Sequence, residues 1–180
     1  MKRLVASVTL LAVAATAMPA VAGPHDGWKT TADVGRAGLV AAALLMAATN
    51  EDWEGVGELA LSEGVTAGAT WGLKHAISAE RPNGANDESF PSGHASISFS
   101  AAAFVHQRYG WQWGLPAYAV AGVVGWARVE SKHHHWYDVA AGAALGTATS
   151  FLLSSRYDDQ VRLFPWSDGK GGGVAMNVRF

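Results

Sequence analysis

Three short stretches of the chain carry residues able to grip an anion or move a proton. The first is Lys74-His75-Ala76-Ile77-Ser78-Ala79-Glu80-Arg81-Pro82. Lys74 and Arg81 are seven residues apart, so on a helix they project from nearly one face, two turns separated. Such a pair either brackets an anion or forms a solvated basic edge. The second is Ser89-Phe90-Pro91-Ser92-Gly93-His94. Ser92 can cap a helix, and Gly93 lets backbone N–H groups approach a ligand at a helix start, which favours negative charge. His94 would stand beside that anion, or be an ordinary surface histidine after an N-cap. The third is Arg128-Val129-Glu130-Ser131-Lys132-His133-His134-His135-Trp136-Tyr137-Asp138. His134 and Asp138 are four residues apart, so Asp138 can accept a hydrogen bond from the His134 ring and leave its other nitrogen nucleophilic. Three consecutive histidines also read as a metal-binding tract. Adjacent helical residues point in different directions, however, so His133, His134 and His135 cannot easily share one ion.

Taken together the stretches resemble a known signature. Lys74-x6-Arg81-Pro82, Pro91-Ser92-Gly93-His94 and Arg128-x5-His134-x3-Asp138 are similar to the three motifs of the phosphatidic acid phosphatase type 2 superfamily. That group contains lipid phosphate phosphatases, class A acid phosphatases and vanadium haloperoxidases. Ten specified residues fall in order and in register. At ~5% usage per residue type, agreement by chance is roughly one in 10^13 per placement. The resemblance implies a phosphatase without metal or other cofactor. In it His134 attacks phosphorus, Asp138 orients His134, and His94 protonates the leaving oxygen. Lys74, Arg81, Ser92, Gly93 and Arg128 would bind phosphate. Ala127 stands where the family usually has Ser, which weakens one phosphate contact and spares the charged groups. The gap between Pro82 and Pro91 is short, which implies a small loop over the site.

The motifs need helix ends to hold them. Gly23–Lys29 reads as an exposed leader, followed by a helix capped by Thr31 or Asp33 and running to about Thr49. Asn50–Gly57 connects it to a second helix, Glu58–Ala79, which Pro82 stops. Ala60, Gly64, Gly68 and Gly72 recur on it at four-residue spacing, a ridge that would let another helix approach closely. A third helix runs from His94 to about Tyr109. A turn at Gly110–Gly114 precedes a fourth helix, which has Pro116 in its first turn and ends near Ala127. A fifth spans Trp136 to Ser154, with Asp138, Gly142, Gly146 and Ser150 on one stripe. Val174, Met176, Val178 and Phe180 alternate as on one strand face. The fold expected is therefore all-α: a compact bundle of about five helices with the active site at helix ends, plus a short C-terminal tail or strand.

Composition bounds the rest. The chain has 180 residues, 49% hydrophobic and 16% charged, which excludes a disordered tail and fits one domain. Its formal charge of −2 gives no basic excess for a nucleic-acid backbone. With no cysteine, disulfides, thiolate catalysis and Cys-ligated zinc are excluded. Lys2 and Arg3, the apolar run Leu4–Ala17 and the small residues Ala20 and Ala22 form a signal peptide over 1–22, leaving a domain over 23–180 and a periplasmic location. An uncleaved anchor in the inner membrane is the alternative. The mature helices are Ala- and Gly-rich, and mean hydropathy is only +0.10, which favours a compact bundle over a multi-span protein. Trp111, Trp113, Trp126 and Trp136 would touch an acyl chain or a membrane surface, or pack in the core. The substrate expected is a phosphorylated lipid, with a small phosphate ester as the alternative. A vanadate-dependent haloperoxidase and a His-rich metal-binding protein are the rival classes.

Overall fold

The computed structural model describes residues 24–157, 161–167 and 171–178. The signal peptide expected at 1–22 and the terminal Phe180 lie outside the described residues, and the exposed leader expected at Gly23–Lys29 is helical from Pro24. Five helices follow in order: α1 Pro24–Thr49, α2 Trp53–Ala76, α3 Gly93–Tyr109, α4 Trp111–Glu130 and α5 Trp136–Leu153. Strands β1 Val161–Ser167 and β2 Gly172–Val178 come last, paired antiparallel with Val161 opposite Val178 and Ser167 opposite Gly172. The expected all-α bundle is what the chain builds, with the alternating C-terminal segment as half of a hairpin.

α3 is the central element and touches all four other helices, which ring it in the order α1, α2, α5, α4. Its sequence explains this place. Ala95, Ser96, Ser98, Ser100, Ala101, Ala102 and Ala103 are all fully buried, and small side chains all round let four helices come close. Phe104 is its one large fully buried side chain, packed among Leu39, Ala43, Leu59 and Ala121. Ser92 caps α3, its Oγ accepting from the Ala95 N–H at 3.5 Å. Gly110, at φ 96°, ends α3, and α4 starts at the next residue. The expected turn at Gly110–Gly114 therefore shrinks to one residue, and Pro116 lies beyond the first turn of α4. Gly114 permits the crossing, since a Cβ there would come within 2.8 Å of the His106 backbone.

The two glycine stripes have opposite fates. On α5, a Cβ at Gly142 would lie 2.5 Å from the Ser92 carbonyl oxygen, and one at Gly146 would lie 2.0 Å from that of Ser96. That stripe seats α5 on the backbone of α3, as its spacing predicts. On α2, Gly64, Gly68 and Gly72 have nothing within 4 Å of the added atom. The α2 ridge faces outward, and among the described residues no helix approaches it.

Two helix boundaries differ from the sequence reading. α1 begins at Pro24 rather than at Thr31 or Asp33, because proline suits the first helical position and Asp26 complements the helix dipole. α2 ends at Ala76, short of Ala79. The Ala79 N–H donates to Asp87 O at 2.9 Å, and the Arg81 N–H to Asn86 O at 3.0 Å. The returning loop thus takes the backbone groups that a longer helix would have used.

Candidate active site

The ends of α2, α3, α4 and α5 that carry the three motifs meet at one end of the bundle. Lys74, in the last turn of α2, reaches over the loop, and its Nζ donates to Glu88 O at 2.6 Å. Arg81 is in the loop itself. Its Nε donates to Asn86 Oδ1 at 2.7 Å, and its two terminal nitrogens donate to Glu88 O at 3.3 Å and His133 O at 3.5 Å. The first motif is thereby tied to the third. Arg128, in the last turn of α4, is 4% exposed, and its Nε has no hydrogen-bond partner among the described residues. Ser92 is fully buried, and its N–H donates to Asp138 O at 3.0 Å, which ties the second motif to the third. Gly93 opens α3 with only Thr70 near, at 3.7 Å from the position of a Cβ. All eight residues singled out from the sequence thus belong to one connected cluster.

His134 is 2% exposed, and its Nδ1 lies 2.7 Å from the Ser89 carbonyl oxygen. A carbonyl only accepts, so the proton sits on Nδ1 and the Nε2 lone pair is free. The direct His134–Asp138 hydrogen bond expected from their spacing is not formed, since the two atoms are 3.8 Å apart. Asp138 Oδ2 instead accepts from the Ser89 hydroxyl at 2.5 Å and the His135 N–H at 2.7 Å. The reason is its place in the third residue of α5, where a carboxylate is captured by the start of its own helix.

Burial, and then Arg128, Arg81 and Lys74, push His134 down to about 2, so it is neutral throughout the ordinary range. Burial and then Arg128 likewise push His94 down to about 4. Arg128 is lowered by burial to about 10 and stays charged at neutral pH. Lys74 is lowered mainly by burial and then by Arg81. The pocket is thus a cluster of cations that repel one another and weaken the protonation of both histidines. Such a cluster is built to receive an anion.

The three consecutive histidines do not converge. His133 Nδ1 meets Ser131 O, His134 Nδ1 meets Ser89 O, and His135 Nδ1 lies by Asp138 and Tyr137. Among the described residues no three His, Cys, Asp or Glu side chains gather as a metal site. Ala127, where the family usually has Ser, is fully buried against Ala32 and Val124.

Two participants escaped sequence reasoning. Asp33 on α1 accepts from the His94 Nε2–H at 2.6 Å, across 61 residues of chain. Lys29, Asp33 and Arg36 follow helical spacing along α1, and Arg36 acts electrostatically on His94 and Arg128. That spacing was the available signal. Ser89 is the other. It contributes a main-chain oxygen, which no side-chain pattern announces.

The PAP2 superfamily profile matches residues 55–162, more than half of the chain. The chain belongs to the PAP2 superfamily. Within it, the chain is 38% identical over 117 residues to the lipid A 4'-phosphatase of Helicobacter pylori, covering 59% of each protein. It is 35% identical over 77 residues to the lipid A 1-phosphatase of Porphyromonas gingivalis, covering 41% of this chain and 17% of that one. The chain therefore spans about three-fifths of the first of these relatives and a small part of the second. Among solved structures, Aquifex aeolicus LpxE superposes with a TM-score of 0.61 at 19% identity, over 81% of this chain and 92% of that one. That likeness establishes a shared PAP2 helical fold.

Proposed function

We propose that this PAP2 protein is a phosphoric ester hydrolase acting on phosphorylated lipids through a phosphohistidine on His134. The observation that carries the reading is a charged Arg128, almost fully buried with an unpartnered Nε, beside a neutral His134 whose Nε2 is free. A buried cation that no carboxylate of the described residues hydrogen-bonds is costly unless an anion completes it.

The steps follow from the placement. The phosphoryl oxygens take Arg128, Arg81 and Lys74, and the first N–H groups of α3 at Gly93 and His94 complete the cradle. Lys74 and Arg81 exchange their present carbonyl partners for stronger anionic ones. His134 Nε2 attacks phosphorus in line, and the bond to the leaving oxygen breaks. An anion on Arg128 removes one of the causes that hold His94 down, so His94 gains the proton it gives to that oxygen. Neutral His94 then takes a proton from the water that releases phosphate.

The lipid substrate rests on two supports. The matched relatives are named for the phosphates of lipid A. The outer helix faces also carry large apolar residues, among them Leu45 on α1, Leu61 on α2, Leu115 on α4 and Leu152 on α5, all exposed. Exposed tryptophans mark two levels around that band. Trp53 and Trp111 lie at the far end; Trp71, Trp126 and Trp136 lie at the end that bears the cations. Trp111 is therefore remote from the site, contrary to its sequence neighbourhood. Eighteen residues separate Trp53 from Trp71 along α2, or about 27 Å of helix, close to the apolar thickness of a bilayer. Interfacial tryptophans at such a spacing support a bundle seated in a membrane with its cationic end just beyond the second level. Export directed by residues 1–22 would place that end on the periplasmic face of the inner membrane.

The decisive assay sets p-nitrophenyl phosphate, phosphatidic acid, a polyprenyl diphosphate and lipid A side by side. The lipids are expected to be preferred, and a strong preference for the small ester would leave a general acid phosphatase. An acid-labile label from a phosphorylated lipid is expected on His134 after rapid quenching. His134→Ala should lose turnover by about 10^4-fold or more, while the exposed Lys132→Ala changes it little. Equal loss in both variants overturns the assignment. Extraction without detergent should leave the protein in the membrane fraction; release into the soluble fraction removes the membrane seat.

A further inference from the structure

We infer that Ser89 is the positioning residue for His134, and that Asp138 acts on His134 through it. This rests on the proposed function only for its kinetic consequence. Ser89 is fully buried, and each of its polar groups is committed in a different direction. Its N–H donates to Ala79 O at 2.8 Å, its hydroxyl to Asp138 Oδ2 at 2.5 Å, and its carbonyl oxygen accepts from His134 Nδ1 at 2.7 Å. The peptide that aims His134 is thus anchored at both ends. One anchor is the loop backbone after α2, and the other is a carboxylate fixed by the first turn of α5.

Asp138 cannot do this alone. Its Oδ2 is 3.8 Å from His134 Nδ1, beyond hydrogen-bond reach, and its Oδ1 is buried without a hydrogen-bond partner among the described residues. Its negative charge still faces a ring that becomes positive when Nε2 bonds to phosphorus. Ser89 supplies what the carboxylate lacks, a fixed acceptor in line with Nδ1–H. That acceptor selects the tautomer with a free Nε2 and fixes the angle of attack. Removing the hydroxyl releases the Ser89 carbonyl, while Asp138 Oδ2 stays held by the His135 N–H. That change does not touch the three cations.

The experiment is a double-mutant cycle with a spectroscopic readout. Ser89→Ala, Asp138→Asn, the double variant and the conservative Ser89→Thr are compared with the unaltered protein. Ser89→Ala is expected to lower kcat about 10- to 100-fold with little change in KM, and Ser89→Thr to restore most of it. The double variant should be no worse than the poorer single one, as for two members of one path. Nitrogen-15 spectra of histidine-labelled protein should show His134 locked with its proton on Nδ1 in the unaltered protein and in Ser89→Thr, and a mixture of tautomers in Ser89→Ala. Losses in kcat that multiply in the double variant, or a His134 tautomer unmoved by Ser89→Ala, overturn the proposal. If Ser89→Ala does not fold, Asp138→Ala carries the test, since it breaks the same bond from the other side: a mixture of His134 tautomers is expected beside a lowered kcat, and an unmoved Nδ1–H signal overturns the proposal. An unaltered protein inert to every phosphate ester, with the tautomer still lost in Ser89→Ala, would sink the hydrolase and keep the positioning role.

Discussion

The two ends of the bundle each bury an arginine almost completely, yet treat it in opposite ways. Arg108, 3% exposed, lies at the far end, where its guanidinium donates to both oxygens of Asp52 and to Glu58 Oε2. Tyr109 also donates to Asp52, and Ser155 to Glu58. Every charge there is met, and the cluster staples the start of α2, the end of α3 and the chain after α5. Arg128, 4% exposed, has an orphan Nε and cationic neighbours. Asp33, the carboxylate acting on it, accepts at Oδ1 from His94. Burial alone therefore says nothing about purpose. The partners do: one arginine completes the fold, and the other waits for something to complete it.

Replacing each arginine by methionine should separate the two most sharply. Arg108→Met strands Asp52 and Glu58 and is expected to cost about 3–5 kcal/mol in denaturant unfolding. Arg128→Met removes a buried charge that Asp33 balances only at a distance. It should leave stability unchanged or higher while turnover falls about 10^2- to 10^3-fold. Equal destabilisation by both would erase the contrast. Inorganic phosphate or vanadate should then raise the melting temperature of the unaltered protein, by a stability gain of about 2.7 kcal/mol at a hundred times its dissociation constant. Arg108 variants that still fold should keep that response, and Arg128→Met should lose it.

A change of pH probes the cationic end by itself. His94 and His134 have native values near 4 and 2, below the ~6.5 of an unfolded histidine. Between those limits the unfolded chain binds more protons, so stability falls as pH drops below about 6.5, by up to ~1.4 kcal/mol per unit for each histidine. A titration of unfolding free energy from pH 7.5 to 5 should show this slope. His94→Gln should remove one share of it, and added phosphate should flatten it by restoring His94 protonation.

Much of the site could be read in advance because its determinants are local. Ser92 announces a helix start, although Lys74 and Arg81 do not share the helical face their spacing suggests, because α2 ends at Ala76 and Arg81 lies in the loop beyond it. The three motifs fall in one order that few sequences share. What could not be read depends on contacts that leave no local trace. Asp33 reaches His94 across 61 residues, and Ser89 works through its carbonyl. The glycine stripes make the same point within the fold. Four-residue spacing predicts a smooth face on both α2 and α5, but only the tertiary arrangement decides which is covered. β1 was hidden in the same way, because Arg162 and Pro165 interrupt the alternation that exposed its partner strand.

The hydrogen bond from Ser92 to the Asp138 carbonyl, together with Gly142 and Gly146 pressed on the α3 backbone, welds two walls of the pocket into one block. His94 stands on one wall, and His134 is held against the other. Asp33 of α1 and the short loop carrying Arg81 lie outside that block and close the site from the other sides.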